Sequence, residues 1–250
     1  MAMMGNPYDQ ENFFQQYAQM PRSQGGLAAA GEWQQLRALF PPLQGKRVLD
    51  LGCGYGWHCR YAVEQGATQV LGIDISERML AMARQRNGDP RITYAVCAIQ
   101  DYAYPESSWD CVISNLALHY LEDLAAVYRL VHRTLAPGGY FVMNIEHPVF
   151  TAGVGQDWVY NAQGEPLYWP VDRYFDPGER VTNFLGCRVT KQHHTLTQIL
   201  NGLLANGFAL EAVEEAQPPA SMMDLPGMAD EMRRPMMLLV KAVTREKDIP

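Results

Sequence analysis

Val48-Leu49-Asp50-Leu51-Gly52-Cys53-Gly54-Tyr55-Gly56 decides the fold of this chain. An apolar run of strand character ends in an acid and passes straight into a glycine-dense turn. Trp57-His58-Cys59-Arg60-Tyr61-Ala62-Val63-Glu64-Gln65-Gly66 follows and reads as a helix closed by glycine. Strand, glycine turn, helix is how an α/β protein brings bare backbone up to a ligand. Glycine permits that approach because it lacks a Cβ and accepts unusual φ/ψ values. A tight strand-to-helix turn that holds no ligand is the alternative reading of the same residues.

A dinucleotide loop, G-x-G-x-x-G, needs its third glycine three positions after the second. Trp57 stands there instead. Asp50 lies two residues before the first glycine, where a carboxylate suits an ammonium-bearing ligand and repels a pyrophosphate. Gln69-Val70-Leu71-Gly72-Ile73-Asp74 reads as a second strand with an acidic tip, 22 positions past Gly52. In a βαβ unit an acid at that distance accepts hydrogen bonds from ribose hydroxyls. Ser76 suits the cap of the next helix.

The 250 residues fit one α/β domain with an inserted cap. Hydrophobic residues make up 48%, enough for a core, and the formal net charge is −7. That acidity argues against a nucleic-acid partner, whose phosphates demand basic patches. No window approaches the roughly 20 apolar residues of a transmembrane span, so no membrane partner is expected. Met1-Ala2-Met3-Met4-Gly5-Asn6-Pro7 lacks the basic and apolar regions of a signal peptide. Five cysteines, none in a C-x-x-C pair, read as reduced thiols, and the expected location is cytoplasmic. Cys53, His58 and Cys59 are poorly spaced for zinc, and no metal site is expected.

Residues 12–40 are helical in character, with Trp33, Leu36, Leu39 and Phe40 on one face, stopped by Pro41-Pro42. Strands at 47–51, 69–74, 92–96, 109–114 and 140–146 then alternate with helices at 56–65, 77–86 and 124–135. Ala136-Pro137-Gly138-Gly139 reads as a breaker before the fifth strand. Such alternation implies a parallel sheet with helices on both faces. It stops at His147. Residues 147–191 carry eight aromatics, roughly twice the density of the whole chain at 10%. They read either as a lid or small β cap, or as an irregular hairpin packed by its own rings. A helix at 195–206 and two strands at 208–215 and 236–243 close the chain, the strands as an antiparallel pair at the sheet edge.

Asp50-Leu51-Gly52-Cys53-Gly54, Asp74-Ile75-Ser76-Glu77-Arg78-Met79-Leu80, Trp109-Asp110-Cys111-Val112-Ile113-Ser114-Asn115 and Leu135-Ala136-Pro137-Gly138-Gly139 stand in the order of a known family. This order resembles the class I S-adenosylmethionine-dependent methyltransferases with the motif-11 type of domain. Beyond that core, Met20-Pro21-Arg22-Ser23, Gly56-Trp57-His58-Cys59, Glu146-His147-Pro148-Val149-Phe150 and Met232-Arg233-Arg234-Pro235-Met236-Met237 resemble a bacterial subfamily with no assigned substrate. The resemblance implies a doubly wound, Rossmann-like sheet of seven strands, mostly parallel with an antiparallel edge strand, plus the aromatic-rich cap. It implies an N-terminal helical segment over the cofactor (1–45), a cofactor-binding core (46–146), a cap for the acceptor (147–191) and a C-terminal helix with the last strands (192–250).

The implied cofactor is S-adenosyl-L-methionine, with S-adenosyl-L-homocysteine as product. By resemblance, the turn of Gly52, Cys53 and Gly54 wraps its methionine part, beside Asp50, and Asp74 holds the ribose. Ile75, Met79, Ala98 and Ile99 face the adenine, although Ile75 and Met79 also suit simple core filling. Asn115 and Leu116 lie beside the sulfonium, with His119 a turn later, and Tyr17 and Arg22 cover the carboxylate. Many relatives carry an acid near Cys97, which this chain lacks.

Methyl transfer from a sulfonium is an in-line displacement, so the protein mainly aligns the acceptor and excludes water. A base is needed only where the acceptor atom carries a proton. His147, directly after the fifth strand, is the leading candidate base, against the alternative of a histidine bonded to local backbone. His194 and Tyr174 are further candidates, and Glu146 an alternative orienting group. The expected acceptor is a small molecule and the expected assembly a monomer or homodimer. A cofactor-binding sensor without catalysis is the second reading.

Overall fold

Alternating burial along the strands explains the layering. Val48 and Leu49, or Phe141, Val142 and Met143, are all buried, yet successive residues enter different cores. Side chains alternate across a strand, so the sheet lies between two apolar layers. The computed structural model describes residues 6–153 and 155–245. Residues 1–5, read above as lacking a leader, lie outside the described residues, as do 154 in the cap and 246–250 at the end of the last segment.

The strands are β1 (Arg47–Leu51), β2 (Gln69–Asp74), β3 (Ile92–Val96), β4 (Trp109–Asn115), β5 (Leu135–Glu146), β6 (Val159–Tyr160), β7 (Pro166–Tyr168), β8 (Gly178–Phe184), β9 (Cys187–His193), β10 (Phe208–Glu215) and β11 (Met237–Thr244). The helices are α1 (Glu11–Ala18), α2 (Pro21–Gly25), α3 (Trp33–Leu39), α4 (Trp57–Glu64), α5 (Glu77–Asn87), α6 (Leu124–Thr134), α7 (Pro148–Ala152), α8 (Leu196–Ala205) and α9 (Met228–Glu231). Seven strands form one sheet in the order β10-β11-β5-β4-β1-β2-β3. β11 runs antiparallel to β10 and β5, which gives the predicted antiparallel pair at that edge; the other pairings are parallel. α6 and α8 supply Tyr128, Val131, Ile199 and Leu203 to one core, and α3 and α4 supply Leu36, Leu39, Ala62 and Val63 to the other.

Three local expectations change. The N-terminal helical stretch is three helices, because Pro21 opens α2 and Gly26, at φ +62°, ends it. Ala136-Pro137-Gly138-Gly139 does not precede the fifth strand but lies within it. Trp109 pairs with Leu135 and Cys111 with Tyr140, so these residues bulge out between two registered pairs. The cap is α7 followed by two hairpins, β6–β7 and β8–β9.

Phe141 is fully buried between the rings of Tyr128 and Phe208, at 6.3 and 6.0 Å. Phe141→Ala is expected to lower stability by about 3–5 kcal/mol in urea unfolding.

Candidate functional site

β1 and β4 are neighbours in the sheet but lead in opposite directions around it. Their carboxyl ends therefore part at a topological switch point, where ligands of open α/β sheets bind. Two glycines shape the turn after β1 for different reasons. Gly52, at φ +75°, approaches the loop after β4 so closely that a Cβ would lie 2.4 Å from the Ala117 Cβ. Gly54, at φ +52°, has no such neighbour; a Cβ there would meet only the Met79 Cε, at 3.9 Å. The N–H groups of Gly52 and Cys53 both donate to the Ile73 carbonyl at 2.9 Å, locking the turn onto β2. At the tip of β2, Asp74 accepts from Gly54 N–H at 2.9 Å and from Ser76 N–H at 2.9 Å. Burial pushes its carboxyl pKa up, against those two backbone donors.

A cavity of about 520 Å3 opens from this turn. The N-terminal segment roofs it. Ser76 caps α5 and also donates to Asp9 at 2.6 Å, Tyr8 and Tyr120 share a hydroxyl bond of 2.9 Å, and Phe13 meets Phe184 of β8 at 5.8 Å.

Most of the predicted cofactor residues come together on this cavity: Tyr17, Arg22, Gly52, Cys53, Gly54, Asp74, Ile75, Met79, Ile99, Asn115, Leu116 and His119. Two do not line it. Asp50 lies beneath the turn, 1% exposed, where Cys59 Sγ–H donates to one oxygen at 3.3 Å and the other has no partner. Ala98 stays behind the wall, which Cys97, Ile99 and Gln100 form instead.

The three predicted catalytic residues also lie off the cavity, each engaged elsewhere. His147 caps α7, its Nδ1 accepting from Val149 N–H at 3.1 Å while Nε2 faces Glu215 at 3.1 Å. His194 bonds the Leu121 carbonyl at 2.8 Å. The Tyr174 hydroxyl accepts from Leu196 N–H at 3.1 Å. The alternative of a locally bonded histidine is thus the one that describes His147.

What faces the cavity opposite the turn is Glu146, at the end of β5, with Lys191 of β9 and His119. Lys191 Nζ reaches Glu146 Oε1 at 2.5 Å and Gln156 Oε1 at 3.2 Å, and His119 Nε2 lies 3.8 Å from Glu146 Oε1. All three side chains are buried. Burial alone would raise the Glu146 pKa, but His119 and Lys191 outweigh it and hold the carboxyl below its ordinary value. Lys191 had one signal in sequence: it shares the inward face of β9 with Val189 and His193, an odd place for a lysine. Nothing local marks its pairing with Glu146, 45 positions away.

The residues fit the implied cofactor. Trp57 and His58 line the cavity, and their ring nitrogens Nε1 and Nε2 are buried with no hydrogen-bond partner among the described residues. With Arg22, held at 3.1 Å by the buried Glu32, they form a donor-rich end suited to an amino-acid carboxylate. Burial drives the His58 pKa down to about 4, so its ring is neutral. Asp74 suits ribose hydroxyls, and Ile75, Met79 and Ile99 give the apolar walls a purine needs.

Burial raises the Asp50 pKa to about 7. A folded-state value above the unfolded one, about 4, means stability present in acid and lost as pH rises through 7. Asp50→Asn cannot ionise, so its Tm relative to the parent chain is expected to move in its favour by on the order of 5 °C between about pH 4.5 and pH 8. Paired thermal melts check this.

Residues 49–143 match the family described as a methyltransferase domain. An S-adenosylmethionine-dependent methyltransferase structure from Mesorhizobium loti is 46% identical, covers 87% of this chain and 100% of its own, and superposes with a TM-score of 0.81. A structure from Listeria monocytogenes, named for the same class, is 48% identical over 88% of this chain and 100% of its own, with a TM-score of 0.84. N-demethylindolmycin N-methyltransferase of Streptomyces griseus is 29% identical over 78% of this chain and 79% of its own. The glycine turn, the acid at the tip of β2 and these likenesses agree: the chain belongs to the class I S-adenosylmethionine-dependent methyltransferases.

Proposed function

We propose that this enzyme methylates a small molecule held in the half of the cavity that faces Glu146, Lys191 and His119. The supporting observation is one continuous cavity. It runs from the glycine turn and Asp74 to a buried ionic wall, and its volume of about 520 Å3 falls in the range of small-molecule sites. Bound S-adenosyl-L-methionine supplies a methyl group already activated on a positive sulfur.

The chain's own residues then have positional tasks. Arg22, His58 and Trp57 hold the carboxylate end and Asp74 the ribose. Asn115 and Leu116, at the end of β4, border the reacting centre. Asn115 Oδ1 accepts a hydrogen bond from Asn144 Nδ2 at 2.9 Å, and Leu116, at φ +55°, donates its N–H to the Asn144 carbonyl at 2.8 Å. The N-terminal segment and the β8–β9 hairpin exclude water, which protects an alignment-driven reaction. The net charge of −7 supports a small acceptor over a nucleic acid. The relative acting on N-demethylindolmycin supports the same reading.

Calorimetry is expected to show micromolar binding of S-adenosyl-L-methionine and S-adenosyl-L-homocysteine. Asp74→Ala is expected to weaken both by on the order of 10- to 100-fold, the loss of charged hydrogen bonds to ribose. Turnover of a metabolite extract with methyl-labelled donor checks transfer. Binding without labelled product would leave a sensor, and heat from neither nucleoside would remove the cofactor site.

A further inference from the structure

Glu32 is a buried carboxylate that the fold itself leaves half used. It stands at the N-cap of α3, yet its side chain makes no capping bond. It is 3% exposed and lines the cavity. Among the described residues, Oε2 accepts from Arg22 Nη2 at 3.1 Å, while Oε1 has no partner and is not sealed from the cavity. A carboxylate offers about four acceptor sites. Burying it with most of them empty is costly unless a ligand fills them.

Local structure sets the pair in place. Pro21 opens α2 one residue before Arg22, and Gly26, at φ +62°, ends it against the Trp57 ring, where a Cβ would lie 2.9 Å from Cε3. α2 therefore rests on the start of α4, and Arg22 lies near enough to His58 to disfavour its protonation. Arg22 and Glu32, ten positions apart, thus present one positive and one negative group at the end of the cavity that α4 begins.

The amino-acid end of S-adenosyl-L-methionine is a zwitterion. Out of water its ammonium needs acceptors as much as its carboxylate needs donors. Three carboxylates line the cavity: Glu32, Asp74 and Glu146. Asp74 stands at the tip of β2 and suits ribose hydroxyls, and Glu146 is bound to Lys191 on the opposite wall. Asp50, the acid of the glycine turn, points away toward Cys59 and does not line the cavity. That leaves Glu32, beside the one cation already suited to the carboxylate.

We propose that Glu32 binds the ammonium of the cofactor's methionine while Arg22 binds its carboxylate. This rests on the cofactor reading above. The pair is then a specificity device, since it favours nucleosides that carry a whole α-amino acid over those that have lost the ammonium, the carboxylate or both. Both charges come from the N-terminal segment rather than from the turn after β1.

Calorimetry on the full chain with three ligands tests the assignment. They are S-adenosyl-L-homocysteine, its deaminated analogue that keeps the carboxylate, and 5′-methylthioadenosine, which lacks both groups. The parent chain is expected to prefer S-adenosyl-L-homocysteine to the deaminated analogue by on the order of 10- to 100-fold. Glu32→Gln is expected to cut that preference by about tenfold or more, with 5′-methylthioadenosine affinity kept within about twofold. Any loss of support for Arg22 weakens both carboxylate-bearing ligands alike and so cancels from the ratio. Glu32→Asp, which keeps the charge, is expected to retain part of the preference, and Asp50→Asn all of it. No preference in the parent chain, equal loss for both ligands in Glu32→Gln, or loss of the preference in Asp50→Asn would overturn the proposal. Should Glu32→Gln fail to bind even 5′-methylthioadenosine, Glu32→Asp decides, and a preference as large as the parent chain's would overturn it. Failure of the parent chain to bind S-adenosyl-L-homocysteine at all would instead sink the underlying reading.

Discussion

The close approach of Gly52 to Ala117 is the constraint on which the site depends. A Cβ at Gly52 would overlap Ala117, so only glycine lets the turn after β1 and the loop after β4 meet at the switch point. That contact sets the floor of the cavity. The paired donations from Gly52 and Cys53 to the Ile73 carbonyl then fix the turn to β2 and bring Asp74 within reach of Gly54 N–H. Turn, acid and adjoining wall form one rigid unit, because each is hydrogen-bonded to the next through backbone that the sheet already holds.

Onto this rigid floor the chain builds a roof from two distant segments. Residues 7–30 come over one side, tied by Asp9 to Ser76 and by Tyr8 to Tyr120. The β8–β9 hairpin comes over the other, tied by Lys191 to Glu146. Phe13 and Phe184 join the two. The Lys191–Glu146 pair has a double role. A buried ion pair contributes little net stability because desolvation offsets attraction, but it registers the hairpin against the end of β5 and leaves His119 facing a fixed carboxylate.

Legibility followed the range of the interactions. β1, β2, β3 and β10 begin and end where periodicity and flanking glycines placed them, since strand alternation and turn chemistry are local signals. Gly52, Gly54, Asp74 and Asn115 were readable because each sits at a strand tip whose position the βαβ spacing dictates. The titratable groups that face the cavity from its far wall, Glu146 and Lys191 with His119, were not readable as a cluster. His147 also sits at a strand end, but Pro148 starts α7 at once and His147 becomes its cap, which turns the ring toward Val149 N–H and Glu215. Asp50 belongs to the same lesson: it lies in the right turn, yet its side chain points below it toward Cys59.

By itself the sequence determined the sheet, the glycine turn and the nature of the cofactor, because all three depend on residues within about 30 positions of one another in a βαβ repeat. Only the tertiary structure decided which titratable groups face the cavity. Glu146 and Lys191 are 45 positions apart, and the hairpin that joins them follows no repeat. Where a segment folds back by packing rather than by periodicity, the partner of a buried charge is set by the closed structure alone.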